Sequence, residues 1–394
     1  MEEIKDKVAI IGMGCSQFGE HWDKGPYELI VEACYEAFAD AGVEPEEIQQ
    51  AWLASVVSGF TGSRLSNALK LEYKPITRVE NFCSGGTHAL GNACYAVTSG
   101  VCDIALACGV EKLKDRAAGF AYSLPEPFDS SKTIPETPPA NMFAQMALRY
   151  FKSRGWSLEE GKRVLAKISV KSHHNGTLSP KAHLRKVITE EQVMRAPMII
   201  HPLGLFDCCT LSDGAAAAIV TRPDIAQHYR DDYVLVKALS FVSGAGEALL
   251  DADYDFIHIP ENIQAAQKAY QQAGVKSPRE EISLAEVHDC FSMHELMLYE
   301  ELSFSPAGRA REDIEAGTFS LEGALPVNTD GGLKCFGHPL SASGLRMLYE
   351  IYKQLQGKAG PRQVKNARLG LTHNGGGLVG SYNTAVAIFG RPDR

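Results

Sequence analysis

The sequence contains no long apolar run, no cysteine pair of the metal-binding type and no excess of basic residues. No stretch of the 394 residues approaches the roughly 18 uninterrupted apolar residues of a membrane span. The ten cysteines show no Cys-x-x-Cys spacing, so most are expected to be packing residues. A net charge of -9 and a pI near 5.8 disfavour nucleic-acid binding, which requires a basic surface. We therefore expect neither a membrane protein nor a nucleic-acid-binding protein.

The two ends of the sequence carry no recognisable targeting signal. The first seven residues are charged and run directly into an apolar strand, which is not typical of a signal peptide. Residues 390–394 contain no peroxisomal or ER-retention signal. These features predict a cytoplasmic protein.

Alternating strand and helix patterns fill the first part of the chain. Residues 8–14, 51–57 and 103–109 are apolar and predict buried strands, and the apolar spacing of residues 26–41 predicts a helix. This alternation predicts an α/β sheet covered by helices on both faces. Because Gly12-Met13-Gly14 lacks the third glycine of a dinucleotide-binding turn, a nucleotide fold of that type is not expected.

A second unit after residue 231 repeats the first in outline, with a different segment between them. Residues 117–198 are rich in proline and then in amphipathic helices, two of which begin with the capping boxes Ser157/Glu160 and Thr189/Gln192. The predicted division is residues 1–116 with 199–230, an inserted helical segment at 117–198, and residues 231–394. Basic residues cluster at 162–186, either as a patch for one phosphorylated ligand or as a solvated helix face.

Cys83 lies in the stretch Asn-Phe-Cys-Ser-Gly-Gly-Thr-His, just before a predicted helix. Unpaired N-H groups and the helix dipole at such a position favour a thiolate over a thiol. Buried cysteines are more often inert small hydrophobic residues. In a duplicated fold the equivalent loop before the helix at 337–355 would meet this loop, which brings Cys83 toward His338.

Three histidine motifs occupy comparable positions at predicted strand or helix ends. His338 lies in Gly-His-Pro before a helix, where an imidazole could act as a general base. His288 lies in His-Asp-Cys-Phe, beside Asp289 and Cys290. His373 lies in His-Asn-Gly-Gly-Gly, and glycines there could expose the N-H groups of an oxyanion hole. Each motif alone is also compatible with a structural role.

The order of these motifs resembles that of the thiolase superfamily from about residue 8 to residue 389. The His-Asp-Cys-Phe and His-Asn-Gly-Gly forms are similar to the branch of archaeal and bacterial acetoacetyl-CoA thiolases and the sterol-carrier-protein type. The resemblance implies a thiolase fold, with a duplicated five-layered αβαβα core and an inserted, mainly helical loop domain. It also implies an acyl-CoA C-acyltransferase.

The resemblance implies a role for each motif. Cys83 would carry the acyl group, and His338 would activate it and, with a water held by His288, stabilise an enolate. The backbone N-H groups of Cys83 and Gly375 would form a second oxyanion hole. This chain has His288 where many thiolases have asparagine, and His373 where they have a second catalytic cysteine.

The acid/base group is therefore either His373 or Cys290. His373 is slightly favoured because its position matches the missing cysteine. This choice predicts that His373→Ala loses much more activity than Cys290→Ala.

The resemblance also implies the ligands and partners. Coenzyme A is expected as a substrate held by the loop domain, with no covalently bound cofactor. The histidines at 173, 174 and 183 lack a second ligand set, so no metal is expected. A homodimer or tetramer is expected, and a small zinc-ribbon and OB-fold partner protein is a further expectation.

The sequence allows more than one acyl group for the substrate. The aromatic residues Phe120, Tyr122 and Phe128 either fit a bulky or aromatic acyl chain, such as a benzoylsuccinyl-CoA-like thioester in aromatic degradation, or pack the loop. Acetoacetyl-CoA is the alternative substrate. A retro-aldolase of the same fold is the nearest rival function, and a non-catalytic acyl-CoA or lipid carrier is a more distant one.

Overall fold

The computed structural model describes residues 4–115 and 139–392, and Phe120, Tyr122 and Phe128 lie outside these residues. The strands are β1 (Ala9–Cys15), β2 (Gln50–Ala54), β3 (Ile76–Val79), β4 (Ile104–Glu111), β5 (Met198–Ile200), β6 (Leu203–Gly204), β7 (Gly214–Thr221), β8 (Val234–Ser243), β9 (Leu284–Glu286), β10 (Leu369–Gly376) and β11 (Asn383–Gly390). The helices are α1 (Pro26–Ala41), α2 (Ser63–Leu69), α3 (Gly85–Thr98), α4 (Pro139–Ser153), α5 (Leu158–Thr177), α6 (Glu190–Arg195), α7 (Pro223–Ala226), α8 (Glu247–Leu250), α9 (Pro260–Ala273), α10 (Pro278–Glu281), α11 (Ser292–Glu301), α12 (Ala310–Glu315), α13 (Gly332–Phe336) and α14 (Ser343–Gln356).

The strands outside the small β5–β6 pair form one continuous sheet in the order β3-β2-β4-β7-β1-β8-β11-β10-β9. From β1 outward, β7 and β4 join by antiparallel pairing and β2 joins β4 in parallel. From β8 outward, β11 and β10 join by antiparallel pairing and β9 joins β10 in parallel. The two halves thus repeat one pairing pattern and meet at the short β1–β8 contact.

The helices complete a five-layered arrangement of the two halves. Helix α1 packs on β1 and β7, and α9 packs on β8 and β11. Helices α3 and α14 contact each other between the halves, with α3 against β4 and β2 and α14 against β10 and β7. The helix predicted after Cys83 is formed as α3, and its buried face includes Ala89, Leu90, Ala93, Cys94 and Val97.

Local sequence signals explain several of the boundaries. The predicted helix at 26–41 is confirmed, with Pro26 in its first turn and Gly42 closing it at φ 68°. Both predicted capping boxes are formed, at the starts of α5 and α6. Gly12 and Gly14 lie inside β1, and a Cβ added at Gly12 would lie 2.6 Å from the Cβ of Ala41. These glycines therefore allow α1 to pack closely on β1.

Helices α4, α5 and α6 follow β4 and form a layer against the second half. Helix α5 contacts α11, α12 and α13, and α4 contacts α11. None of the helices within residues 4–115 and 139–392 has the length and apolar character of a membrane-spanning segment.

Candidate active site

Cys83 lies in a tight turn, Phe82–Ser84, that leads directly into α3. Phe82 adopts a left-handed conformation with φ 50°, which is uncommon for a residue with a side chain and often marks a functional turn. A Cβ added at Gly376 would lie 2.7 Å from the backbone nitrogen of Cys83. The sharp turn thus places the Cys83 backbone against the end of β10.

The thiolate expected from the helix mouth is not supported at Cys83. Burial raises the pKa of the Cys83 thiol to about 12, and the carboxylates of Glu80 and Glu111 add to this increase. Loss of solvation outweighs the hydrogen bond from the residue's own backbone N-H, which acts in the opposite direction. The resting thiol is therefore protonated, so nucleophilic attack requires a neighbouring base.

His338 has the geometry of that base. Its Nδ1 lies 2.8 Å from Ser343 Oγ, and the Ser343 hydroxyl in turn donates toward Pro339 O at 3.4 Å. Ser343 Oγ therefore accepts a hydrogen bond from the Nδ1–H group of His338, which leaves the ring's lone pair on Nε2. Nε2 is buried and has no hydrogen-bond partner. Burial and the charge of Arg346 lower the pKa of His338 to about 3, so the ring is neutral at physiological pH.

His288, just after β9, completes a compact group with Cys83 and His338. One sulfur or nitrogen atom from each of the three residues lies within 4.8 Å of the others. The rings of His288 and His338 are 4.9 Å apart and nearly perpendicular. Burial, then the nearby His338, lowers the pKa of His288 well below its usual value. Its Nδ1 is also buried without a partner, which is rare unless a ligand uses the atom.

Cys290 lies in a second group, with His288 and His294, and their donor atoms are also within 4.8 Å of one another. Cys290 Sγ is 3.7 Å from His294 Nδ1. Burial raises the pKa of the Cys290 thiol well above its usual value, and the charges of Cys209 and Cys83 contribute. Cys83 and Cys290 thus each lie in a compact group that includes His288.

The sequence predicted that His373 lies just beyond the end of a strand. In the structure it lies inside β10. It pairs with Val386 of β11, and its Nε2 is 3.0 Å from Asn262 Oδ1. The side chain is fully buried, and burial lowers its pKa to about 3. Among the described residues, neither compact group of thiol and imidazole atoms includes His373.

Neighbours of the motif residues have structural functions. Asp289 accepts hydrogen bonds from the backbone of Leu333 and Lys334 and thereby caps α13. Asn374 accepts a hydrogen bond from Thr87 at 2.8 Å, which ties α3 to β10. Gly375 lies in β10 opposite Thr384. Asp289 is thus a cap rather than a chemical group.

Three lysines of the basic cluster at 162–186 form internal ion pairs. Lys162 is buried and pairs with Asp207, and Lys171 pairs with Glu295. Lys181 pairs with Glu36 of α1. These internal ion pairs hold α5 and the following segment to the rest of the fold.

Sequence reasoning missed His294, Asn262 and Ser343. His294 lies in the first turn of α11 and Cys290 lies just before this helix, so no regular helical spacing joins the two residues. Asn262 lies on α9, which no motif marked, and it reaches His373 only through the packing of α9 on the second half-sheet.

The thiol and imidazole sets of Cys83, His288 and His338, and of His288, Cys290 and His294, are also donor types that zinc binds. A metal held there would occupy the same lone pairs that nucleophilic and acid/base chemistry require. The arrangement suits a thiol nucleophile next to a neutral imidazole, with a second thiol beside the neighbouring His288.

Comparison with known proteins decides the family. The family model described as "Thiolase, N-terminal domain" matches residues 8–224, and the "Thiolase C-terminal domain-like" model matches residues 249–391. This chain belongs to the thiolase superfamily. The sequence-based assignment is therefore confirmed, as is the predicted fold class.

The relatives of this thiolase support the acyltransferase class. An acetyl-CoA acetyltransferase of Methanothermobacter thermautotrophicus is 37% identical over 393 residues, covering 98% of this chain and 99% of the relative. Sterol carrier protein 2 of Gallus gallus is 31% identical over 99% of this chain and 73% of its own length. The thiolase is an acyltransferase, as predicted.

Solved structures of distant sequence share the fold. The Ltp2-ChsH2(DUF35) aldolase superposes with a TM-score of 0.83 at 23% identity, covering 99% of each chain. A monomeric SCP2-thiolase-like protein from Mycobacterium smegmatis gives a TM-score of 0.75 at 13% identity, covering 98% of this chain and 77% of that one.

Proposed function

We propose that this thiolase cleaves a 3-oxoacyl-CoA with CoA, or runs the reverse Claisen condensation, through an acyl-Cys83 intermediate. The observation that carries the proposal is the convergence of the Cys83 thiol with His338, whose free Nε2 can accept the thiol proton. Two half-reactions on one thiol give ping-pong kinetics.

The proposed steps combine the proximity of Cys83, His288 and His338 with the oxyanion holes that the resemblance to thiolases implies. His338 takes the proton of Cys83 as the sulfur attacks the 3-oxo carbon, and the backbone N-H groups of Cys83 and Gly375 stabilise the resulting oxyanion. The bond between C2 and C3 then breaks. The acyl group stays on the sulfur of Cys83. The electron pair of the C2–C3 bond stays with C2, so the shorter acyl-CoA leaves as an enolate. His338 and a water held by His288 stabilise this enolate. A proton delivered to C2 completes that product, and the thiol of CoA then takes the acyl group from Cys83.

We propose Cys290 rather than His373 as the group that exchanges the C2 proton. Cys290 shares the group of atoms around His288, and its thiol is close enough to Cys83 for their charges to interact. His373 is held in mid-strand with its Nε2 on Asn262. This placement supports the second of the two alternatives left open by the sequence.

Substituting Cys290 and His373 separately distinguishes the two candidates for the acid/base group. Cys290→Ala should lose at least ten times more thiolysis activity than His373→Ala, since the former removes the proton carrier and the latter a strand residue. The measurement is kcat with a substrate that the wild type turns over. A larger loss in His373→Ala would restore the sequence-based preference.

The acyl group is assigned from sequence and relatives alone. A bulky or aromatic substrate, such as a benzoylsuccinyl-CoA-like thioester, rests on the aromatic content of residues 117–139. Acetoacetyl-CoA is the alternative, which the name of the Methanothermobacter relative favours. A panel of 3-oxoacyl-CoAs tests both, because turnover of acetoacetyl-CoA alone removes the bulky-substrate proposal.

A retro-aldolase is the second candidate, since the aldolase structure shares this fold. Intact-protein mass spectrometry separates the two activities: a thiolase incubated with substrate without CoA gains the acyl mass on Cys83, and Cys83→Ala does not. An aldolase gains none. A lipid or acyl-CoA carrier would show no thiol that acyl-CoA protects from iodoacetamide.

We further propose the domain division and assembly expected from the sequence. Residues 117–198 act as the loop domain that covers CoA, between the halves formed by 1–116 with 199–230 and by 231–394. The enzyme would be a homodimer or tetramer and would associate with a small zinc-ribbon and OB-fold protein. Light scattering of the chain, alone and co-expressed with such a partner, tests both expectations.

A further inference from the structure

His294 has no part in the mechanism above, yet it lies fully buried beside the proposed acid/base thiol. Its Nδ1 is 3.7 Å from Cys290 Sγ. Its ring also lies 5.8 Å from that of His373 and 4.9 Å from that of Phe143. A buried imidazole in such a position needs partners for both nitrogens.

The hydrogen bonds of Asn262 fix which nitrogen of His294 carries the proton. Asn262 Nδ2 donates to the Glu301 carboxylate at 2.8 Å, and Asn262 Oδ1 accepts from Thr384 at 2.8 Å. The amide is thus oriented with its NH₂ group toward His294 Nε2, at 3.5 Å. Since that side offers only hydrogens, Nε2 of a neutral His294 must be the acceptor, so the proton lies on Nδ1 and faces Cys290.

A donor facing the sulfur matters because little else stabilises a buried Cys290 thiolate. Burial, then the thiols of Cys209 and Cys83 and the carboxylate of Asp289, disfavour the thiolate, and the charge of Lys334 opposes them. Burial and the nearby His373 lower the pKa of His294 well below its usual value, although a hydrogen bond between the ring and the His288 backbone acts in the opposite direction. His294 therefore donates as a neutral ring. The titratable and charged groups that face the pair are Cys83, Cys209, His288, Asp289, Glu301, Lys334, His373 and Tyr382.

We propose that His294 is a positioning residue that directs its Nδ1 proton at Cys290 and so stabilises the thiolate formed when Cys290 takes the C2 proton of the acyl-CoA. The inference rests on the proposed function, with Cys290 as the acid/base group. Glu301 orients the amide of Asn262, and Asn262 in turn holds His294 in this tautomer.

The test separates proton exchange at C2 from acyl transfer to Cys83. In D₂O, exchange of the C2 protons of an acyl-CoA substrate reports on Cys290, whereas the acyl mass gained by Cys83 reports on the nucleophile. His294→Leu should slow the exchange by about 10- to 100-fold, the range for loss of a hydrogen bond to a charged group, and move its pH dependence to higher pH. Acylation of Cys83 should persist. Failure of the wild type to acylate Cys83 would instead overturn the proposed function itself.

Two comparisons distinguish this role from a merely structural one. His294→Asn keeps an amide donor near the sulfur but loses the ring contacts, so it should restore most of the exchange and a near-wild-type pH profile. In a Cys290→Ser background, His294→Leu should have little further effect, because the two residues act as one unit. Equal losses of the exchange rate in the Asn and Leu variants, or additive losses with Cys290→Ser, would overturn the inference. If the Leu variant does not fold, the exchange rate and pH profile of the Asn variant decide the question.

Discussion

Gly86, the second residue of α3, determines how closely the Cys83 and His338 loops approach each other. A Cβ added at Gly86 would overlap the carbonyl oxygen of Ser341, and one added at Gly109 would lie 2.9 Å from the carbonyl carbon of Ser341. Ser341 lies three residues after His338, so its carbonyl fills the space that these two glycines leave. Gly86→Ala should therefore force the two loops apart.

The magnitude of this perturbation follows from two opposing terms. Alanine is a better helix former than glycine by about 1 kcal/mol, but overpacking a rigid interior costs about 1 to 3 kcal/mol. Because the overlap is with backbone rather than with a flexible side chain, the clash should prevail, and the free energy of unfolding should fall by up to about 2 kcal/mol. A shift of about 1 Å between nucleophile and base is expected to lower kcat about 100-fold.

The assay is kcat for thiolysis together with urea unfolding of the same preparation. Gly19→Ala is the matched control, because no atom lies closer than 3.8 Å to a Cβ added there, and it should leave both quantities near wild type. If Gly86→Ala keeps kcat within about 3-fold of wild type, close approach of the loops is not what activates Cys83.

Three further predictions follow from the same region. Ser343→Ala removes the hydrogen bond to His338 Nδ1 and should lower kcat/KM by about 3- to 10-fold with little change in stability, whereas an unchanged kcat/KM would show that another group orients the ring. Burial raises the pKa of Cys83 to about 12 and lowers that of His338 to about 3, so neither group should titrate near neutrality. The value of kcat/KM for acylation of Cys83 should therefore not change with pH from about pH 5 to 9. A change of kcat/KM with a midpoint near pH 6.5 that is absent in His338→Asn would contradict this. Arg346 is buried between Glu286 and Asp330, so Arg346→Met should lower the free energy of unfolding by about 3 to 5 kcal/mol, and calorimetric stability equal to wild type would show that these carboxylates are neutral in the fold.

Local signals predicted much of the fold. The apolar spacing and Pro26 defined α1, and Ser157 with Glu160 defined the start of α5, because capping and amphipathic burial act within a few residues. The location of Cys83 before α3 was predictable for the same reason. The end of β10 was not, since pairing with β11 extends that strand through His373 and Gly375.

The electrostatics of the site could not be read from local spacing. The helix mouth favours a thiolate at Cys83, but the buried surroundings of the fold raise its pKa instead. Lys162 and Lys171 belong to the basic cluster that the sequence left open as a phosphate patch or a solvated helix face. Each pairs with a carboxylate distant in sequence, Asp207 and Glu295 respectively. Burial and long-range charges come from elements far apart in the chain, so a single segment does not encode them.

The sequence by itself determined the family, the duplicated α/β plan and the motif residues Cys83, His288 and His338, because these depend on short-range pattern and on residue identity. Only the tertiary structure decided that His338 lies beside Cys83 while its Nε2 has no hydrogen-bond partner, and that Cys290 rather than His373 shares the group around His288. It also brought Asn262 of α9 behind His294 of α11. The physical reason is that proton transfer depends on distances of a few ångströms and on solvent exclusion, which exist only once the two halves pack together.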